Sequence, residues 1–266
     1  MNIILEHVQA TPTIESQEWD SKYNKEEILY TPQKAEYYAL QDIWKLLKRY
    51  LEPQKHYLDV GCGTGTWILF LKEKGYKVDG CDITPQTIKR LQEYDPSLNL
   101  NVANILRLPY DTSSFDGLIT IGVLEYLGKD IVRGLDEVKR VVKPGGLFFV
   151  EVPLRNTLRI LFYLPIKHLK YYLGLQGGRS PAFDNYYFKR EELKNILTKN
   201  GFTVLEMAPH EMPHPKCHHG LYNDWAFLRG KRPKHLNWLG LVLKYVFNAL
   251  SPWIAATGIL LVAKRN

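Results

Sequence analysis

The sequence predicts an α/β fold, a mostly parallel sheet with helices on both faces, and three observations carry that expectation. Short apolar runs alternate with helical patterns at the spacing of successive strand–helix–strand units. The first run, Tyr57-Leu58-Asp59-Val60, opens directly into Gly61-Cys62-Gly63-Thr64-Gly65, and the apolar stretch Ile68-Leu69-Phe70-Leu71 begins a helix after it. The second run, Val78-Asp79-Gly80-Cys81-Asp82, ends on a carboxylate, on the order of 20 residues beyond the glycines, where a βαβ unit places its ribose-binding acid.

Residues 1–30 are polar and irregular, with Trp19, Tyr23 and Tyr30 interspersed. Thr31-Pro32 is a helix start, an N-cap followed by proline. Tyr37, Leu40, Ile43, Trp44 and Leu47 then recur at helical spacing up to Tyr50. Strands are expected at 57–60, 77–81, 99–102, 117–122 and 147–152. Thr84-Pro85 opens one intervening helix. Ile131 to Val142 forms another, stopped by the turn signal Pro144-Gly145-Gly146.

Residues 154–182 interrupt that rhythm as a helical insertion after the fifth strand. They carry Arg155, Arg159, Lys167, Lys170 and Arg179, no acidic residue, and many large apolar side chains. Pro165 should break or kink any helix here. The stretch reads either as a lid lining an apolar pocket or as a surface resting on an anionic membrane. Leu193, Ile196 and Leu197 share a helix face that Asn200-Gly201 terminates, and 202–206 and 257–264 are the last two strands. Tyr245 to Ala263 is uncharged and long enough to span a bilayer. Its Asn248, Ser251-Pro252 and Thr257-Gly258 favour helix, turn and core strand instead.

The chain has 266 residues, enough to bury a full core, and its 45% apolar and 24% charged content is that of a soluble globule. Three scattered cysteines, Cys62, Cys81 and Cys217, exclude a disulfide framework and point to a reducing compartment. The first residues lack the basic start and apolar run of a signal peptide, so a cytoplasmic setting is expected, with membrane association as an addition. The net charge of +7 fits nucleic acid, an anionic membrane or an acidic substrate. The cations are dispersed, with no RNA-binding signature, which argues against nucleic acid.

A glycine bend between a buried strand and a helix N-terminus suits a flat, polar or anionic ligand. The dinucleotide fingerprint needs glycine at its sixth position, where Thr66 stands, and no phosphate-loop lysine follows. Beyond the bend and Asp82 come Leu108-Pro109-Tyr110 to Phe115-Asp116, then Gly117 to Leu127, then Val142-Lys143-Pro144-Gly145-Gly146-Leu147 to Val150. This ordered set resembles the class I S-adenosylmethionine-dependent methyltransferases, in the small-molecule branch that includes the ubiquinone and menaquinone enzymes. The likeness is close from about residue 50 to 153 and fair from 183 to 206.

The resemblance implies a Rossmann-like, seven-stranded, mostly parallel sheet whose last strand inserts antiparallel. A cap segment (1–50) would precede a methyltransferase domain (51–266) that holds the insertion, within a single domain. Asp59 and the backbone of Gly61, Gly63 and Gly65 would receive the amino-acid end of S-adenosylmethionine. Asp82 would accept both ribose hydroxyls, the lesser alternative being a strand-end carboxylate that caps the Thr84 helix. Ile83 would touch adenine, and Asn104 stands where the family usually has the aspartate that binds the adenine amino group. Ile105, Thr120, Ile121 and Tyr23 complete the implied cofactor set. Tyr23 and Trp19 either help close the pocket or anchor the N-terminal segment.

Methyl transfer is an in-line displacement governed by positioning, and a catalytic group is needed only where the acceptor carries a proton to be removed. Leu124-Glu125-Tyr126 departs from the family's leucine–glutamate–histidine. Tyr126, a poor base at an ordinary pKa of about 10, would orient the acceptor, and Glu125 reads as a helix-start charge. His210, His214, Cys217, His218 and His219 cluster between the last strands. Without a standard zinc spacing they predict no metal. His210 or His218 acting as general base, or a polar surface loop, are the remaining readings. The expected function is methylation, at oxygen or carbon, of a small or amphipathic acceptor. The alternative is a non-catalytic module that binds the same cofactor.

Overall fold

The computed structural model describes Trp19, residues 34–166, Leu169, Leu173, 186–211 and 216–266. Its sheet has seven strands: β1 (His56–Val60), β2 (Lys77–Asp82), β3 (Leu100–Val102), β4 (Phe115–Ile121), β5 (Val142–Pro153), β6 (Phe202–His210) and β7 (Gly258–Arg265). Their spatial order is β3-β2-β1-β4-β5-β7-β6. Strands β1 to β5 pair in parallel, and β7 runs antiparallel between β5 and β6. This is the Rossmann-like arrangement expected, last strand included.

Strands β1 and β2 are buried along nearly their whole length because both sheet faces are covered. One face packs α5 (Ile131–Val141) and α6 (Arg190–Lys199) through Leu135, Val138, Leu193 and Leu197. The other packs α1 (Ala35–Ala39), α2 (Asp42–Tyr50), α3 (Thr66–Glu73) and α4 (Pro85–Tyr94) through Tyr38, Leu46, Ile68, Phe70 and Leu91. The strand order reverses between β1 and β4, which opens a crevice at the carboxyl ends of the strands.

Two local expectations are corrected. The single helix expected through Leu40 is broken at Gln41, whose backbone is extended. Tyr38 and Ile43 are five residues apart, about 140° on a straight helix, yet both are buried in the same core; the break aims both at it. Strand β5 begins at Val142 rather than after the glycines. The Phe115–Val142 pair precedes a register shift, and a bulge absorbs Pro144-Gly145-Gly146. A Cβ on Gly146 would lie 2.8 Å from the Asp116 carbonyl oxygen, so the bulge requires glycine.

Pro165 does not end its helix: residues 157–166 stay helical through a π turn at Arg159–Tyr163. The wider turn relieves the clash a proline ring makes with the preceding turn. Past β6, α7 (His219–Asp224) and α8 (Trp238–Leu250) precede a short 3₁₀ turn and β7. The uncharged run is thus helix, turn and strand, and among the described residues no helix is long and apolar enough to cross a membrane. Leu158 of the insertion packs with Leu221, Leu228 and Leu236 in a third, smaller core.

Candidate active site

A cleft of about 600 Å³, open mouth included, lies at the carboxyl ends of β1, β2, β3 and β4. Gly61, Asp82, Ile83, Asn104, Ile105 and Tyr126, all expected site residues, line it together with Trp19 and Val123.

The bend needs its glycines for packing as well as for access. Gly61 and Gly65 have φ of +76° and +82°. A Cβ on Gly61 would fall 2.4 Å from Val123 Cγ2, and one on Gly65 2.4 Å from Leu91 Cδ2. Gly61 thus brings the bend against Val123, just past β4, and Gly65 sets α3 on α4. The N–H groups of Gly61 and Cys62 both donate to the Cys81 carbonyl, at 2.8 and 3.0 Å. Gly63 donates its N–H to Asp82 Oδ2 at 2.9 Å.

Asp82 caps the helix that follows it and also borders the cleft. Its Oδ1 accepts from the Thr84 N–H at 3.0 Å and from the Thr84 hydroxyl at 2.6 Å, at the start of α4. Asp59, buried at the end of β1, has its carboxyl pushed up to about 7, first by burial and then by repulsion from Asp82. The Asn104 side-chain oxygen accepts from the Leu106 N–H at 2.9 Å, which sets its loop at the cleft wall. Tyr126 meets Trp19 edge-on with ring centroids 4.8 Å apart.

Other expected residues lie elsewhere. Thr120 is buried within β4 and donates to the Phe149 carbonyl at 3.4 Å. Ile121 faces a smaller cavity with Ile43, Leu47, Glu151 and Leu260. Gly63, Gly65 and Asp59 are not among the residues lining the cleft, and Tyr23 is outside the described residues.

His210 and His218 are not among the residues lining the cleft. Burial lowers both pKa values, with Glu211 opposing. His210 Nδ1 has no hydrogen-bond partner among the described residues. His218 Nδ1 accepts from the Leu221 N–H at 3.2 Å, capping α7, and lies 3.1 Å from Glu211 Oε2. Among the described residues no group of three metal-ligating side chains forms, and His214 lies outside them.

Sequence reasoning missed Glu211. It accepts from the Gly220 N–H at 3.3 Å and the Thr257 hydroxyl at 2.6 Å, and also from the His219 N–H. A lone glutamate between a strand and a histidine-rich loop carries no pattern that announces such a hub. Val123 was equally hidden, being a strand-end apolar residue like many others.

A cleft at the strand-order reversal, bent by glycine and bordered by a strand-end carboxylate, defines an enzyme fold that holds a nucleoside-bearing cofactor. The profile described as "Methyltransferase domain" matches residues 58–150. A demethylmenaquinone methyltransferase of Oceanobacillus iheyensis is 32% identical over 170 residues, which cover 56% of this chain and 70% of that one. A sterol 4-C-methyltransferase of Caenorhabditis elegans is 29% identical over 162 residues, covering 55% and 48%. Among solved structures, a geranyl diphosphate C-methyltransferase from Streptomyces coelicolor superposes with a TM-score of 0.61 at 15% identity, covering 97% of this chain and 99% of that one.

The chain belongs to the class I S-adenosylmethionine-dependent methyltransferases, in their menaquinone-like branch. It is a methyltransferase of small-molecule type, and S-adenosylmethionine is its cofactor. The site fits that group: the Asp82 carboxylate and Gly61, whose φ of +76° lets the backbone approach a ligand closely, both border the cleft.

Proposed function

We propose that this methyltransferase acts on an apolar or amphipathic small acceptor, at oxygen or carbon. One observation carries the reading: the cleft joins the Asp82 carboxylate on one side to the Trp19–Tyr126 aromatic wall on the other. An adenosyl group needs the first and a flat apolar acceptor the second. The names of the relatives, a demethylmenaquinone and a sterol methyltransferase, support the same acceptor class.

When bound, S-adenosylmethionine supplies an electrophilic methyl group on a sulfonium. Asp59 balances the cation at the amino-acid end, and Gly61 keeps the backbone low enough for close approach. Asp82 receives the ribose hydroxyls, Ile83 and Ile105 flank the base, and Asn104 offers its second lone pair to the adenine amine. Tyr126 orients the acceptor, and Trp19 closes the cleft against water, so that positioning supplies most of the rate. His210 and His218 then serve the fold of the neighbouring sheet edge.

The purified protein, labelled S-adenosylmethionine and fractionated lipid extract test the proposal. Label recovered in an organic-soluble product supports it. Label only in protein or nucleic acid, or none in any fraction, refutes it.

A further inference from the structure

Helix α8 is built inside out. Trp238, Val242, Tyr245, Val246 and Leu250 are all exposed, Trp238 at 76% and Leu250 at 72%. At 100° per residue they fall within an arc of about 140°. The helix's one charged residue, Lys244, points the other way: it is buried and donates to the Cys217 carbonyl at 2.8 Å. A helix facing water shows the reverse pattern. Single exposed apolar residues are ordinary, but five on one helix face form a patch that marks an interaction surface.

The patch extends beyond the helix. Phe162 of the insertion stands 6.2 Å from Trp225, and Trp225 stands 6.0 Å from the exposed Phe227, whose neighbour Leu228 packs in the small core beneath α8. Leu161 and Ile166, on the same insertion helix as Phe162, are exposed as well.

Among the described residues from 216 onward, the exposed charged side chains are all cationic. The loop before α8 reads Arg229-Gly230-Lys231-Arg232-Pro233-Lys234, with Lys231, Arg232 and Lys234 exposed. From position 212 onward the only acidic residue is Asp224, and it is buried against Arg159 at 2.7 Å. Exposed Lys231, Arg232 and Lys234 beside exposed aromatic and aliphatic side chains, with no exposed acidic side chain among the described residues from 216 onward, complement an anionic lipid surface.

We propose that the exposed face of α8 and its basic loop dock the protein on an anionic membrane. The helix lies in the interface: its 13 residues extend about 20 Å, short of a hydrocarbon core about 30 Å thick. Trp238 and Tyr245 enter the headgroup region, and Lys231, Arg232 and Lys234 meet lipid phosphates. The inference stands apart from the choice of methyl acceptor, since none of these residues lines the cleft.

Co-sedimentation of the full chain with phosphatidylcholine vesicles, with and without phosphatidylglycerol, tests it. Binding to the mixed vesicles should exceed binding to phosphatidylcholine alone by about tenfold and fall as salt rises. The double variants Trp238→Asp with Tyr245→Asp and Lys231→Glu with Arg232→Glu should each lose it. Calorimetry with S-adenosylhomocysteine and far-ultraviolet circular dichroism confirm that both remain folded. The loop variant, on exposed residues, keeps the test decisive if the helix variant misfolds. No binding to mixed vesicles, equal binding to both kinds, or binding that survives the loop variant overturns the proposal. So does a dimer in sedimentation velocity that Trp238→Asp dissociates, which would assign the face to a second copy.

Discussion

Asp82 accepts the Gly63 N–H at 2.9 Å, so the carboxylate that ends β2 also holds the bend that follows β1. The same side chain fixes Thr84 at the start of α4. A ligand bound to Asp82 therefore meets a group already anchored on two sides, and little ordering is lost on binding.

Asp82→Ala leaves the buried N–H groups of Gly63 and Thr84 without their acceptor. Thermal unfolding should report a loss of ~2 kcal/mol. Cofactor affinity, by calorimetry, should fall by about tenfold or more, because hydrogen bonds to a charged acceptor go with it. Asp82→Asn keeps one acceptor oxygen and should cost less in stability than in binding. A variant of unchanged affinity would remove Asp82 from the cofactor site and leave it a helix-start residue.

Asp59 couples binding and stability to pH. Its carboxyl is raised from 3.8 to about 7, so between those values the folded chain holds a proton that the unfolded chain has released. Stability is therefore greatest below the unfolded value and is lost as pH rises through about 7. Asp59→Asn should raise the unfolding temperature of the ligand-free protein at about pH 8, and the difference should shrink toward about pH 5. Binding has the opposite sign. A cationic ligand favours the ionised form, so wild-type cofactor affinity should fall as pH drops below about 7, with proton release on binding, and Asp59→Asn should abolish that dependence. Calorimetry in buffers of different ionisation enthalpy measures the release.

Tyr126 and Trp19 separate packing from orientation. Tyr126→Phe preserves the edge-on contact and removes only the hydroxyl. If the hydroxyl orients the acceptor, kcat should drop about tenfold with cofactor affinity unchanged. Tyr126→Ala also removes the aromatic contact, worth ~1 kcal/mol, and should raise KM for the acceptor as well. Equal kcat in wild type and Tyr126→Phe would reduce the residue to a wall.

The central half of the chain was legible because its signals are local. Leu58 to Gly65 and Val78 to Asp82 place strand, bend and acid within a few residues of one another, and period and glycine together specify them. What stayed hidden depends on distant partners. Tyr50 donates to Glu206 at 2.8 Å across 156 positions, and Glu211 reaches Thr257 across 46. The break at Gln41 answers a core surface made by other elements, which apolar spacing along one helix cannot encode. Trp19 read in sequence as either a pocket or an anchoring aromatic, and only the fold puts it at the cleft. In α8 the apolar run was visible while its outward direction was not, because that depends on what Lys244 finds beneath it.

Arg159 shows how a cation in an acid-free insertion can serve the interior. Its Nε donates to Asp224 at 2.7 Å, and Nη1 donates to the carbonyls of Leu154 and Thr257 at 2.8 and 3.0 Å. The side chain thus joins the end of β5, the approach to β7 and α7, and its guanidinium also covers the Tyr187 ring at 4.7 Å. Both charges are buried, so removing one strands the other, at a cost of ~3–5 kcal/mol. Arg159→Ala should lower the unfolding temperature sharply, and Arg159→Lys should recover only part of the loss, since an ammonium cannot reproduce the planar fork. Arg159→Met with Asp224→Leu removes both charges and should restore much of the stability. Urea unfolding of the four proteins checks the order, and an Arg159→Ala protein as stable as wild type would mean that the pair contributes nothing to the attachment of the insertion.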